Sequence, residues 1–471
     1  MLLPFIQSNL HLFTVKKLDG FYNTAPDAEL TVSSWQSSEF QENKEKFINE
    51  NFGFRNTLLR LMNQIRYSFF SKTSNTETVI GKDGYLYSNI YIESLKGENF
   101  IGVDAVVKKS LLVRELQRKL EVSGKIFLPV IAPNKARFYK EYLPEKITTK
   151  NITNYDAFKY CFDKLKIKYI DFEKYFLEIK EYSKYPLFSK YGIHWSTFAH
   201  TLATDSIIRY LNTNYSLNTN QLLYKDNIVL SDSLMDLDYD IGEGMNLFVD
   251  QLKSEPLAYP KCTFKKTSPN KPTLLVIGDS FNFGIQKTEM QNEVFSDYKL
   301  LYYFKELIPY SSDKDAFKKL NIKDEINNHK VVMMLFTEQN FVNYGCGFIE
   351  KAIHILDGID NGTFDEKENK ILEMIKKVKN DNVWMEKIKK EAEQKNKNLD
   401  ILIRENAVYM INVLAEEASR NRNQKINEMI EYIRKDLNWM KGIEQRAKEK
   451  NLPIDSVLLK DAVYQVDVNN R

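Results

Sequence analysis

The apolar positions along the chain change their period more than once, and each change marks a different kind of element. From Ser33 to Phe70 the residues Phe40, Phe47, Phe52, Leu58, Leu61, Met62, Ile65 and Phe69 recur near helical spacing, with Gly53 as a break, which predicts a helical arm. VIGKDGYLY, Val79 to Tyr87, then sets a short apolar strand, a Lys82-Asp83-Gly84 turn and an aromatic strand in the order of a hairpin. Beyond it, helical stretches such as Lys108 to Leu120 alternate with continuous apolar runs at Lys125–Ala132, Lys168–Phe172, Thr273–Ser280 and Lys330–Phe336. Runs that are apolar at every position fit strands covered on both faces, so the alternation predicts an α/β domain of three layers, α/β/α, around a mostly parallel sheet. In such sheets, sites form where loops leave the carboxyl ends of the strands.

After about Phe364 the pattern turns to Lys, Glu and Asn with helical periodicity, and it repeats itself. Ile371, Met374, Ile375, Trp384, Met385, Ile388, Ala392, Asp400, Ala407 and Tyr409 recur 55 residues later as Ile426, Met429, Ile430, Trp439, Met440, Ile443, Ala447, Asp455, Ala462 and Tyr464. The expected organisation is therefore an N-terminal helical arm over 1–75, an α/β domain over 76–360 and a helical tail with two repeats over 361–471. The tail interleaves 22 Lys and Arg with 20 Asp and Glu, the pattern of solvated helix faces, so its apolar stripes are expected to pack on each other or on the sheet.

Composition narrows the function more than the fold. With 471 residues and 43% hydrophobic content the chain exceeds one small domain, and a formal charge of +3 without a long basic run gives no sign of a nucleic-acid partner. The 27 Tyr and 29 Phe are expected mostly in the core, although tyrosine faces also suit carbohydrate. Cys161, Cys262 and Cys346 are widely spaced and form no Cys/His cluster, so no metal or other cofactor is expected. MLLPFI at the start is far short of the roughly 20 apolar residues of a membrane span. Leu2 to Ile6 would suit the last turn of a membrane tether upstream of residue 1.

Two segments carry chemistry. GDSF at Gly278–Phe281 follows the apolar strand LLVI, so a sharp turn through Gly278 would hold Ser280 at the sheet's edge as a nucleophile, with nearby backbone N–H groups as part of an oxyanion hole. YGIHWSTFAH at Tyr191–His200 sets His194 before a helical run, with Trp195 to lock its ring; a serine hydroxyl needs such a base near neutral pH. The acid that would orient His194 stays open among Asp279, Asp205, Asp240 and Glu338. Asn134 and Lys135, at the carboxyl end of the Lys125–Ala132 strand, are candidates to donate to an oxyanion or to hold an anionic sugar, and otherwise form a polar strand-to-loop junction; Gly278 and Trp195 are the other candidates for oxyanion or substrate contact.

GKDGYLY, APNKARFYKEYLP, GIHWS, VIGDSF and the strand ending in FTEQN follow one another in an order that resembles the alginate O-acetyltransferase group of SGNH-hydrolase-like proteins, over roughly Leu18 to Ile355. His194 preceding Ser280 matches the permuted order of that group. The resemblance implies an SGNH-hydrolase-like fold, Ser280 as acyl carrier and His194 as its base. It further implies a periplasmic or cell-envelope location, a polysaccharide substrate and a membrane-bound O-acyltransferase as acetyl donor. The group's motif reads Asp-x-His-Trp, and this chain has Gly192 in place of the aspartate. That departure keeps open a carboxylate from elsewhere, a slower dyad, or a catalytically impaired polysaccharide-binding or assembly protein; the same acyl-serine chemistry with water as acceptor would make a carbohydrate acetylesterase.

Overall fold

Strands that are apolar on both faces must be covered on both faces, and six of the chain's strands form one sheet that meets this demand. The structure is a computed structural model and describes residues 2–20, 25–144, 151–267, 269, 271–364, 366–395, 397–450 and 453–469. The sheet consists of β1 (Ile126–Ala132), β2 (Ile170–Asp171), β3 (Thr273–Gly278), β4 (Asp297–Tyr302), β5 (Glu306–Ile308) and β6 (Val331–Thr337). Their order is β5-β4-β3-β6-β1-β2, and every pairing is parallel except that of β5 with β4. Ile126, Leu128, Val130, Leu274, Val276, Met333 and Leu335 enter one core with Trp195, Ala199, Ala203 and Phe281. The opposite positions Phe127, Ile131, Leu275, Ile277, Val332, Met334 and Phe336 are equally buried, so helical layers lie on both faces as expected. The strand expected at Lys168–Phe172 is shorter, because Asp171 caps the helix Phe172–Ile179 by accepting from Lys174 N.

The chain divides into two compact units, Met1–Ile353 and His354–Arg471. The arm helices Val32–Gln36, Glu39–Asn51 and Arg55–Phe70 therefore belong to the same unit as the sheet. The division falls a few residues before the expected 360/361 boundary, since Ile359 already packs into the core of the tail. No helix among the described residues is long and apolar enough to cross a membrane.

Two small ribbons interrupt the α/β alternation between the helix Thr197–Tyr215 and β3. Gln221–Leu223 pairs with Thr263–Lys265, and Ile228–Ser231 pairs with Leu257–Pro260. The second ribbon closes off residues 232–256 as an excursion with its own small core, in which Leu234, Tyr239, Met245 and Leu247 meet Leu86, Tyr191, Leu257 and Tyr259.

In the second unit the sequence repeat becomes two sets of three helices. Glu366–Asn380, Asn382–Gln394 and the start of Leu399–Lys435 bury Ile371, Ile375, Ile388, Leu402 and Ala407. The end of Leu399–Lys435, with Leu437–Lys450 and Ile454–Asn469, buries Ile426, Ile433, Ile443, Val457 and Ala462. One 37-residue helix thus serves as the last of the first copy and the first of the second, and each copy closes its own core.

Candidate active site

The serine turn is fixed from below by a buried carboxylate. At Gly278 a Cβ would lie 2.1 Å from Asn282 Nδ2 and 2.5 Å from Leu335 O, so only glycine lets the Asn282 amide fold back and donate to Asp279 O. Asp279 is fully buried and accepts from Phe281 N (3.1 Å), Thr337 N (2.7 Å), Thr337 Oγ1 (2.8 Å) and Asn340 Nδ2 (2.7 Å). Burial raises its pKa, and these donors act against the rise. The carboxylate ties the end of β3 to the end of β6. Ser280 follows as the N-cap of the helix Phe281–Gln286, half-buried, and its backbone N–H makes no hydrogen bond among the described residues.

His194 is held from the other side. Ser196 caps the helix Thr197–Tyr215 by accepting from Ala199 N, and Trp195 is fully buried against Phe172, Phe176 and Phe281. The His194 ring packs 4.8 Å from Phe281 and puts Nε2 2.8 Å from Ser280 Oγ. Its Nδ1 bonds Asp240 Oδ2, and Asp240 Oδ1 accepts from Ile193 N (2.8 Å) and Ile241 N (2.7 Å). Gly242 N donates to Tyr191 O at 3.0 Å, so the acid-bearing segment is bonded to the backbone on both sides of Gly192. The serine, the histidine and one of the four open acids form a continuous relay.

Gly192 explains why the acid comes from elsewhere. A Cβ at position 192 would lie 2.3 Å from Leu237 O and 3.0 Å from Asp238 O. The backbone of the excursion occupies the space that a side chain at 192 needs, and the same excursion delivers Asp240.

The other candidates are committed to the scaffold. Asp279 anchors the serine turn, as above. Asp205, itself buried, pairs with the exposed Arg209 at 2.9 Å one turn along its own helix, and Glu338 pairs with Arg137 at 2.7 Å and accepts from Asn134 Nδ2. None of the three bonds His194. Asn134 is fully buried, with Nδ2 also on Tyr91 O and Oδ1 accepting from Ala136 N, so its amide is spent on the scaffold instead of an oxyanion. Lys135, 1% exposed, donates from Nζ to the carbonyls of Leu86, Lys190 and Gly192, and this corrects the expectation of a sugar contact. Burial pulls its pKa down to about 7 while Asp240 and Asp238 act against this. Trp195 reaches no solvent, and Gly278 contributes its missing side chain. Sequence reasoning passed over Thr337 and Asn340, which hold Asp279; their signal was the polar FTEQN stretch at the end of β6. Among the described residues no group of three or more His, Cys, Asp or Glu converges to hold a metal ion.

Residues 78–231 match the family model described as the SGNH hydrolase-like domain of the acetyltransferase AlgX. The matched stretch takes in Gly192 and His194 and stops short of Asp240 and Ser280. No curated protein matches the sequence. Among solved structures, the O-acetyltransferase domain of Pseudomonas putida AlgJ is 17% identical, with 58% of this chain and 98% of that one covered and a TM-score of 0.39. Pseudomonas aeruginosa AlgX is 12% identical over 62% of this chain and 71% of that one, with a TM-score of 0.40. Bacillus cereus PatB1 is 14% identical over 56% and 97%, with a TM-score of 0.36.

Proposed function

We propose that this chain, with an SGNH-hydrolase-like acetyltransferase domain of the AlgX type over residues 78–231, is an O-acetyltransferase that carries an acetyl group on Ser280 and passes it to a polysaccharide hydroxyl. The observation that carries this reading is the relay from Ser280 Oγ through His194 to Asp240. As Oγ adds to the donor's acetyl carbonyl, His194 Nε2 takes its proton, and the Ser280 backbone N–H is the proposed donor to the developing oxyanion. Collapse of the tetrahedral intermediate breaks the bond to the leaving group, which departs with the proton from Nε2. A sugar hydroxyl then gives its proton to Nε2, attacks the acetyl-serine carbonyl and leaves as the ester while Oγ recovers its proton. Asp240 accepts Nδ1–H throughout, which selects the tautomer with a free Nε2 and stabilises the imidazolium.

The reason to suspect an impaired scaffold was Gly192, and a carboxylate on His194 Nδ1 from Asp240 supports the active reading instead. The location that goes with this reaction is outside the cytoplasmic membrane, with a membrane-bound O-acyltransferase supplying acetyl groups. Intact-mass measurement after exposure to an activated acetyl ester should show a single acetyl adduct that is absent from Ser280→Ala. Labelling that survives in the variant would remove Ser280 from the mechanism. Transfer of the adduct to an added glycan, and not only to water, separates the transferase from an esterase.

A further inference from the structure

Asp240 opens a helix of only five residues, Asp240–Gly244, within an excursion that lies outside the central sheet. A helix this short does not hold itself together in water, so the position of its first residue depends on what grips its two ends. The bonds to Ile193 and Tyr191 grip the first end. The second is gripped by the N-terminal arm.

Arg60, 6% exposed in the arm helix Arg55–Phe70, donates from Nη1 to Leu247 O at 3.2 Å, and from Nη2 to Lys17 O at 2.5 Å and Asp19 Oδ2 at 2.9 Å. One turn along, Asn63 Nδ2 donates to Met245 O (3.1 Å) and Asn246 O (3.3 Å), and Gln64 Oε1 accepts from Val249 N (3.2 Å). Asn246 sits at φ 50°, a left-handed turn that asparagine tolerates, and exchanges a reciprocal pair with Asp19: Asp19 N to Asn246 Oδ1 at 2.7 Å and Asn246 Nδ2 to Asp19 O at 3.0 Å. Tyr67, on the same arm helix, packs against the small core that contains Tyr239 and Met245. Backbone groups of residues 245, 246, 247 and 249 are thus bonded to the arm, immediately after the helix that presents the acid.

We infer that the arm is a positioning element of the acetyl-transfer site, fixing the turn after Asp240 so that its carboxylate stays on His194 Nδ1. A carboxylate at position 192 would ride on the loop that carries His194. Asp240, 46 residues away in sequence, needs an external brace. The catalytic meaning of the brace rests on the function proposed above, whereas the hold on the Asp240–His194 contact does not require turnover to be measured.

The test uses the full chain with Arg60→Met and, separately, Asn63→Ala, which removes only one amide and keeps the question answerable if the arginine variant does not fold. Lys44→Ala, whose partner Asp27 lies elsewhere in the arm, is the control. The first readout is the low-field proton resonance of His194 Nδ1–H, assigned by its absence from Asp240→Asn. The second is the rate of Ser280 acylation by p-nitrophenyl acetate, measured for each brace variant alone and combined with Asp240→Asn. The brace predicts that the resonance broadens or disappears in both variants and persists in the control. It also predicts that acylation falls by about tenfold to a hundredfold, the usual consequence of a catalytic group displaced by about an ångström. On top of Asp240→Asn the same changes should cost less than about threefold, because there is no carboxylate left to position. An unchanged resonance in both folded variants, or losses that multiply fully with Asp240→Asn, would overturn the inference. A wild-type chain that shows the brace-dependent resonance but no acetyl-Ser280 would retain the brace and reject the transferase.

Discussion

Replacing Asp240 by Asn tests the relay at the member that sequence alone left open. The amide is nearly isosteric, and its oxygen still accepts from Ile193 N and Ile241 N, so the excursion keeps its attachment to the histidine loop. Its NH2 then faces His194 Nδ1 as a donor. The imidazole answers by moving its proton to Nε2, the atom that must be free to take the Ser280 proton. In a buried serine triad this tautomer switch costs about four decades in rate. Here the His194 side chain is 9% exposed but that of Asp240 is 26% exposed, so water partly screens the pair and we expect about three decades. At about 1.4 kcal/mol per decade this is roughly 4 kcal/mol of lost transition-state stabilisation. Stopped-flow measurement of the p-nitrophenolate burst reads the acylation step directly, and the melting temperature should stay within a degree or two of the parent, as roughly expected for a change that keeps the backbone bonds. A loss of less than about tenfold would mean that Asp240 does not orient the base.

Three further outcomes follow from the same geometry. Gly192→Ala pushes a Cβ into Leu237 O and should cost about 1–3 kcal/mol by urea denaturation; for the same reason Gly192→Asp should fail to rescue Asp240→Asn, and recovery of acylation in that double variant would contradict the steric account. Asp279→Asn sets an amide against four donors and should lower stability by about 2–3 kcal/mol, seen as a fall in melting temperature, in contrast to the kinetic phenotype of Asp240→Asn. Burial pushes the Glu173 carboxyl from 4.5 up to about 8, with Arg137 pulling the other way. The native state keeps a proton there that the unfolded chain releases above about pH 4.5, so this group makes stability fall as pH rises through that window, and Glu173→Gln should flatten the dependence of the urea midpoint between pH 5 and 8.

Ser280 and His194, the pair that the fold brings to 2.8 Å, were legible because each is announced by its local pattern. An unbroken apolar strand that ends in Gly-Asp-Ser can only turn at the sheet's edge, and a histidine followed by a tryptophan and a capped helix has its ring direction set within a few residues. The sheet and the tail's repeat were legible for the same reason, since unbroken apolar runs, a period of 3.6 and a 55-residue recurrence are local properties of the chain.

What the sequence could not decide was how polar residues from distant segments divide the work. Asn134 and Lys135 follow a strand as site residues do, but the chain folds over them and burial turns them into struts for the loops around Leu86 and Gly192. Asp279, Asp205, Asp240 and Glu338 look alike as letters. They differ in their partners: backbone donors and Thr337 for the first, Arg209 for the second, His194 for the third and Arg137 for the last. Strand and helix periods are fixed by neighbours along the chain, so the sequence by itself determined the scaffold, Ser280 and His194. Which carboxylate meets His194 depends on distant backbone: residues 237 and 238 fill the space beside Gly192, and only that packing, with the Gly242–Tyr191 bond, brings Asp240 to the ring.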